Sequence, residues 1–156
     1  MPLINPPVFR RRPFIENGNF VNGLDGWAAN GAVDISLVST PVKFDGYAIH
    51  VEPTEQDQAG IVHAFETILP STSYLTEAYV RGTGSVQLLA AEYNASDEFL
   101  NGNSSGELVM SPTEWRIVSR SIVSAATAAK MRVYVVAWGA QANIDFYLGG
   151  VLRRNG

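Results

Sequence analysis

Apolar and polar residues alternate along this chain in short runs. Tyr74–Arg81 and Ser85–Tyr93 both alternate, with the period of two that belongs to a strand burying one face. Trp115–Val123 and Met131–Trp138 repeat the pattern, and Val33–Val38, Tyr47–Glu52, Ile61–Glu66 and Ile144–Leu152 complete a set of about eight to ten expected strands. Turn dipeptides stand between them: Asn22-Gly23, Asp25-Gly26, Asn30-Gly31, Asp45-Gly46, Asn101-Gly102 and Ser111-Pro112. Gly82-Thr83-Gly84 reads as the loop of a hairpin joining the first two runs. Ala125–Lys130 is the one stretch able to form a helical turn, and in context it reads as a loop; Asn94–Ser111 reads as a long polar loop at one end of the fold. Many short strands at this spacing predict an all-β fold, an antiparallel two-sheet β-sandwich or jelly roll.

The first thirteen residues depart from the pattern. They hold four prolines, Pro2, Pro6, Pro7 and Pro13, which exclude a helix and favour an extended arm. The expected organisation is an arm over 1–13 and a sandwich over 14–156. At about 3.1–3.3 Å per residue the arm would reach roughly 40 Å. Its apolar residues Leu3, Ile4, Val8 and Phe9 are too many for a solvated tail. Together with Arg10, Arg11 and Arg12 they make it a candidate assembly device, lying on its own body or on a neighbouring subunit.

Composition narrows the function. A chain of 156 residues makes one domain with a sizeable core. The absence of cysteine excludes disulfides, thiolate metal sites and a cysteine nucleophile. The net charge of −4 is unevenly spread. Arg10, Arg11, Arg12, Arg153 and Arg154 supply +5 at the ends, while residues 13–152 hold six basic and fifteen acidic residues, a balance of −9. So acidic a body argues against nucleic acid as a partner, and Arg153 and Arg154 read as a small basic tail able to make a contact. The amino terminus lacks the apolar run and cleavage pattern of a signal peptide, and no stretch has the roughly 20 apolar residues of a membrane span. The expectation is a protein made in the cytoplasm without export and with no membrane partner. The sequons at Asn94 and Asn103 are then accidental.

Catalytic and metal chemistry is thin. His50 and His63 are the only histidines, each inside a strand pattern, and no third imidazole or thiolate completes a zinc site. No nucleophile elbow, phosphate loop or dinucleotide fingerprint occurs. Asp97 and Glu98 are carboxylates of the type that hydrolyse glycosides, but an acidic sandwich offers such pairs by chance. No enzyme activity, catalytic residue, metal ligand or cofactor is expected.

Glu16-Asn17-Gly18-Asn19-Phe20, running on to Gly26-Trp27, resembles the opening of the family 4/9, cellulose-binding-module-like, carbohydrate-binding modules. Tyr47–Val51, the Leu69-Pro70-Ser71-Thr72-Ser73-Tyr74 motif, Ala78–Arg81, Thr113-Glu114-Trp115 and the closing Ile144–Leu152 follow in the family's order. The resemblance implies a jelly roll that binds glycans without catalysis. It also implies a structural calcium held by acids of the opening and closing motifs. Here those positions carry Asn19, Val21, Gly149 and Gly150, so calcium is disfavoured against its need for six to eight oxygen ligands.

Sugar recognition takes aromatic faces and planar polar groups. Arg132, Tyr134, Val136 and Trp138 fall on one face of their strand by the period of two. Adjacent strands are expected to add Tyr79, Gln87 and Tyr93, making an aromatic and amide cleft. The competing reading is that Trp27, Trp115 and Trp138 pack the core. The arm, the basic tail and the missing export signal lead to a structural virion-surface protein as the first expectation, a bacteriophage capsid decoration protein or tail accessory. Its partners would be neighbouring subunits in a homo-oligomer, for which a trimer is one option. The alternative is a stand-alone glycan-binding module whose partner is a cell-surface polysaccharide.

Overall fold

The computed structural model describes residues 13–44, 46–54, 59–137 and 144–155. The arm residues Leu3, Ile4, Val8, Phe9, Arg10, Arg11 and Arg12, and with them Trp138, lie outside the described residues.

Among the described residues twelve strands run in chain order: β1 (Trp27–Asn30), β2 (Val33–Val38), β3 (Ala48–Pro53), β4 (Ala59–His63), β5 (Glu66–Thr67), β6 (Ser73–Thr83), β7 (Ser85–Tyr93), β8 (Phe99–Ser104), β9 (Leu108–Val109), β10 (Arg116–Val123), β11 (Lys130–Ala137) and β12 (Asp145–Asn155). They form two sheets. One follows the order β10-β6-β12-β3-β2; the other follows β1-β4-β11-β7-β8, with β5 on β11 and β9 on β7. Every pairing is antiparallel. The expected two-sheet sandwich is what the chain forms.

Alternation explains the packing. β6 turns Tyr74, Ala78 and Val80 inward, β7 turns Val86, Leu88 and Ala90, and β11 turns Met131, Val133 and Val135, all buried. Phe20, Phe146, Ile49, Ile61 and Leu148 fill the space between the sheets with no more than traces of exposure. Burying such a side chain contributes about 1.5–3 kcal/mol. Trp27 joins this core, whereas Trp115 lies half-buried outside the five-stranded sheet, where its ring would touch a Cβ placed on Gly149.

Three sequence expectations need correction. β6 and β7 are not a hairpin: β6 pairs with β10 and β12, and β7 with β11, β8 and β9. The chain crosses between sheets at Gly82–Gly84, where Gly84 takes a φ of 100° that side chains disfavour. Inward alternation is the same for two strands of one sheet as for two facing strands, so periodicity does not separate the cases. Second, 94–111 is not one loop, since β8 and β9 lie within it. Third, Arg153 and Arg154 are no free tail. Both belong to β12, where Arg153 pairs with Glu66 and Arg154 with Glu77. Pro13 and Phe14 run beside the same stretch, through Arg153 N–H to Pro13 O at 2.8 Å and a Phe14 to Leu152 bridge.

Candidate functional site

The outer face of the seven-stranded sheet gathers most of the expected sugar-binding residues. The register sets Lys130 against Tyr93, Arg132 against Ala91, Tyr134 against Leu89 and Val136 against Gln87. β8 continues these rows with Phe99 beside Tyr93, Gly102 beside Ala91 and Ser104 beside Leu89. On the far side of β11, Val62 and Gly60 face Tyr134 and Val136. Arg132, Tyr134, Gln87 and Tyr93 therefore share one face. Tyr79 does not. It projects from the outer face of the opposite sheet, edge-on to Phe44 at 5.1 Å and beneath the Lys43 ammonium. Its strand follows the same alternation as β7, and only the sheet assignment separates them.

Two aromatic residues join this face unannounced. Phe65, between β4 and β5, meets Tyr93 edge-on at 4.8 Å, and Tyr93 meets Phe99 at 5.8 Å. Phe99 is 61% exposed and Phe65 39%. The Phe99 ring reaches over Gly102, where an added Cβ would lie 3.4 Å from it. Gly102 and Ala91 thus leave the middle row low, between Tyr93 with Phe99 on one side and Tyr134 with Leu89 on the other. Such an arc of rings supplies the apolar faces on which pyranose rings stack. Gln87, whose side-chain oxygen accepts from the Ser104 hydroxyl, adds planar polar chemistry.

Charge on the floor is simple. The Arg132 guanidinium lies over the Phe65 ring at 4.5 Å and the Lys130 ammonium over the same ring at 5.7 Å. Lys130 pairs with Asp97. Burial, and then the hydrogen bond to Tyr134, raise the Tyr93 phenol above its ordinary value of 10.0. Tyr93 stays neutral at physiological pH and presents a hydroxyl, not a phenolate.

A cavity of about 220 Å³ adjoins Phe65, lined by Glu16, Asn17, Asn22, Asp25, His63 and others. Residues of the opening motif, to which the family resemblance assigns part of a calcium site, line this cavity, and their donors do not fit the ion. The Asn17 side-chain amide donates to Gly23 O at 3.0 Å and Asp25 O at 2.8 Å, while its oxygen accepts from Asn22 N–H at 2.8 Å. The Asn17 carbonyl accepts from the Trp27 indole at 3.0 Å, and His63 Nε2 lies 2.8 Å from Glu16 O. Carbonyls that a cation would recruit already face N–H donors. Among the described residues no group of three His, Asp or Glu is placed to hold a metal. Asn17→Ala is therefore expected to lower stability by about 1–3 kcal/mol, because it strips partners from loop groups. Chelator is expected to leave the wild-type melting temperature within about 1 °C, since a bound ion would add its binding energy to stability. A fall of several degrees in EDTA would overturn the misfit.

His63 is buried against Trp27, at 4.7 Å between rings, and His50 stacks on Tyr147 beside Asp145. Both are strand residues engaged in packing. They lie in different sheets and form no joint site.

Comparison with known proteins follows this geometry. No curated protein matches the chain. Among solved structures, the C-terminal family 22 carbohydrate-binding module of Clostridium thermocellum Xyn10B superposes with a TM-score of 0.70 at 13% identity, over 94% of this chain and 96% of that one. The CBM22-1 and GH10 modules of the same organism's xylanase 10B give 0.65 at 15% identity, over 85% of this chain but 26% of that one. The active domain of Bacteriophage CBA120 tailspike protein 4 gives 0.72 at 8% identity, over 92% of this chain and 21% of that one. At such identities the likeness is one of fold. The model of a carbohydrate binding domain, CBM_4_9, matches residues 13–142, and the chain belongs to that family.

Proposed function

We propose that this protein binds a polysaccharide, without turnover, along the outer face of its seven-stranded sheet. The observation that carries the reading is the exposed arc Phe65, Tyr93 and Phe99 beside Tyr134 and Arg132, on a low floor of Ala91 and Gly102. Relatives in fold include a xylan-binding domain and the CBM22-1 module solved with xylohexaose, so β-1,4-linked xylans are the first class to test. Two carboxylates of the turn between Tyr93 and Phe99 are already engaged: Asp97 holds Lys130, and Glu98 accepts from the Asn94 amide at 2.7 Å. This supports binding over hydrolysis.

The virion expectation stands behind this reading. Of the features that lead to it, residues 1–12 lie outside the described residues and Arg153 and Arg154 are paired within β12, and the tailspike likeness is one of fold.

Affinity electrophoresis in gels containing xylan, mixed-linkage glucan or galactan tests the proposal. At least one polymer is expected to retard the wild type. Phe99→Ala and Tyr134→Ala are each expected to weaken that binding about tenfold, the equivalent of roughly 1.4 kcal/mol of lost stacking. A wild type that runs unretarded through every gel would refute the reading, as would variants that bind as it does.

A further inference from the structure

Resting on the polysaccharide reading, we propose a ligand class for the same face: a glycan bearing acidic groups, with one carboxylate or sulfate set against Arg132.

Three observations meet here. First, among the described residues Arg132 faces no carboxylate; its charged group lies on the Phe65 ring, and its Nε–H is buried with no acceptor. A guanidinium partly stripped of water and lacking a counter-charge is held at a cost that an incoming anion offsets. Its planar fork matches a carboxylate or sulfate with two parallel hydrogen bonds.

Second, among the described residues the elements around Arg132 bring no competing acid to the face. β7 offers Gln87, Leu89, Ala91 and Tyr93, and β8 offers Phe99, Gly102 and Ser104. β4 offers Gly60 and Val62, β5 offers Thr67, and β1 offers Ala28 and Asn30. Asp97 neutralises Lys130, which among the described residues leaves Arg132 as the unpaired charge of the face. Glu66 points inward to Arg153, and Glu16 and Asp25 line the cavity next to Phe65.

Third, the local charge opposes the body. Residues 13–152 carry −9, so unspecific attraction to anions is absent, and beyond the Debye length of about 8 Å at physiological salt that charge is screened. Recognition of an acidic sugar must therefore act at contact, where Arg132 sits.

Glucuronoxylan, the same polymer after chemical reduction of its carboxyl groups, and sulfated xylan are the probes, run by affinity electrophoresis with wild type, Arg132→Met and Arg154→Met. Methionine keeps an apolar stem against Phe65, and circular dichroism checks that each variant is folded. The wild type is expected to bind an acidic form about tenfold more tightly than the reduced one. Arg132→Met should bring that ratio near unity, while Arg154→Met, on the other sheet, should leave it. Preference for glucuronoxylan assigns a uronate and preference for sulfated xylan alone assigns a sulfate ester; either supports the acidic group. Equal binding of acidic and reduced forms, or a ratio that survives Arg132→Met, overturns the ligand class and leaves polysaccharide binding intact. Binding to none of the three, with the neutral gels also blank, overturns both.

Discussion

Gly82→Ala is expected to cost about 3 kcal/mol or more, a large share of the stability of a domain this size. A Cβ built on Gly82 would lie 2.2 Å from the Asp145 carbonyl, 2.6 Å from Phe146 Cα and 2.7 Å from Phe146 Cβ. Two of these are backbone atoms, and none is the far end of a flexible side chain. Relief requires moving β6 away from β12 where the register begins at Thr83 and Asp145. It also disturbs the Gly82 N–H to Ser111 O bond of 2.9 Å and the seat of Phe146, which is fully buried. Overpacking of a core typically costs about 1–3 kcal/mol with more where backbone must shift, against a total stability of roughly 5–15 kcal/mol. Gly106→Ala is the control. Its φ is 78°, yet nothing lies within 4 Å of the added carbon, so the expected cost is about 1–2 kcal/mol, from conformation alone. Urea unfolding of both variants reads the difference. Equal costs would mean that the crossing needs a flexible residue and not an absent side chain.

The crossing also shows what alternation carries and what it omits. The period of two placed Arg132 and Tyr134 on one face, because each strand's register is local. It put Tyr79 with them only by assuming that β6 and β7 share a sheet, and two strands facing one core read the same as two strands side by side. Phe65 falls inside the expected strand Ile61–Glu66, where alternation puts it on the inward face of Ile61; the break between β4 and β5 instead leaves it 39% exposed. Phe99 was hidden in a polar run whose strand, β8, forms an edge of its sheet and needs no buried outer face. The opening loop was legible as a motif. That Asn17 fills it with hydrogen bonds depends on where Gly23 and Asp25 fold back, which no spacing states. Arg153 and Arg154 looked like free charge because their acids, Glu66 and Glu77, are distant in sequence.

That concealed pairing carries the second large effect. Arg153→Met alone is expected to cost about 3 kcal/mol. The Arg153 and Glu66 side chains are 10% and 14% exposed and stand 3.0 Å apart, with Arg153 Nε also donating to Thr76 at 3.3 Å. Truncating the cation leaves the Glu66 carboxylate in a poorly solvated place between the sheets with His63 Nδ1 nearby, at 3.6 Å, and an orphaned charge typically costs about 3–5 kcal/mol, lessened here by that neighbour and by residual exposure. Replacing both partners removes the orphan as well as the pair. Arg153→Met with Glu66→Met is therefore expected to recover at least half of the single variant's loss. Arg154→Met is the comparison with a solvated cation: its side chain is 51% exposed while that of Glu77 is 12% exposed, so its loss is expected to cost less than that of Arg153, at about 1–2 kcal/mol. Denaturation midpoints of the four proteins decide the matter. A double variant no more stable than Arg153→Met would mean that the arginine acts through its stem and the Thr76 bond, whereas recovery would make the closing strand's stability a property of charge pairing across the sandwich.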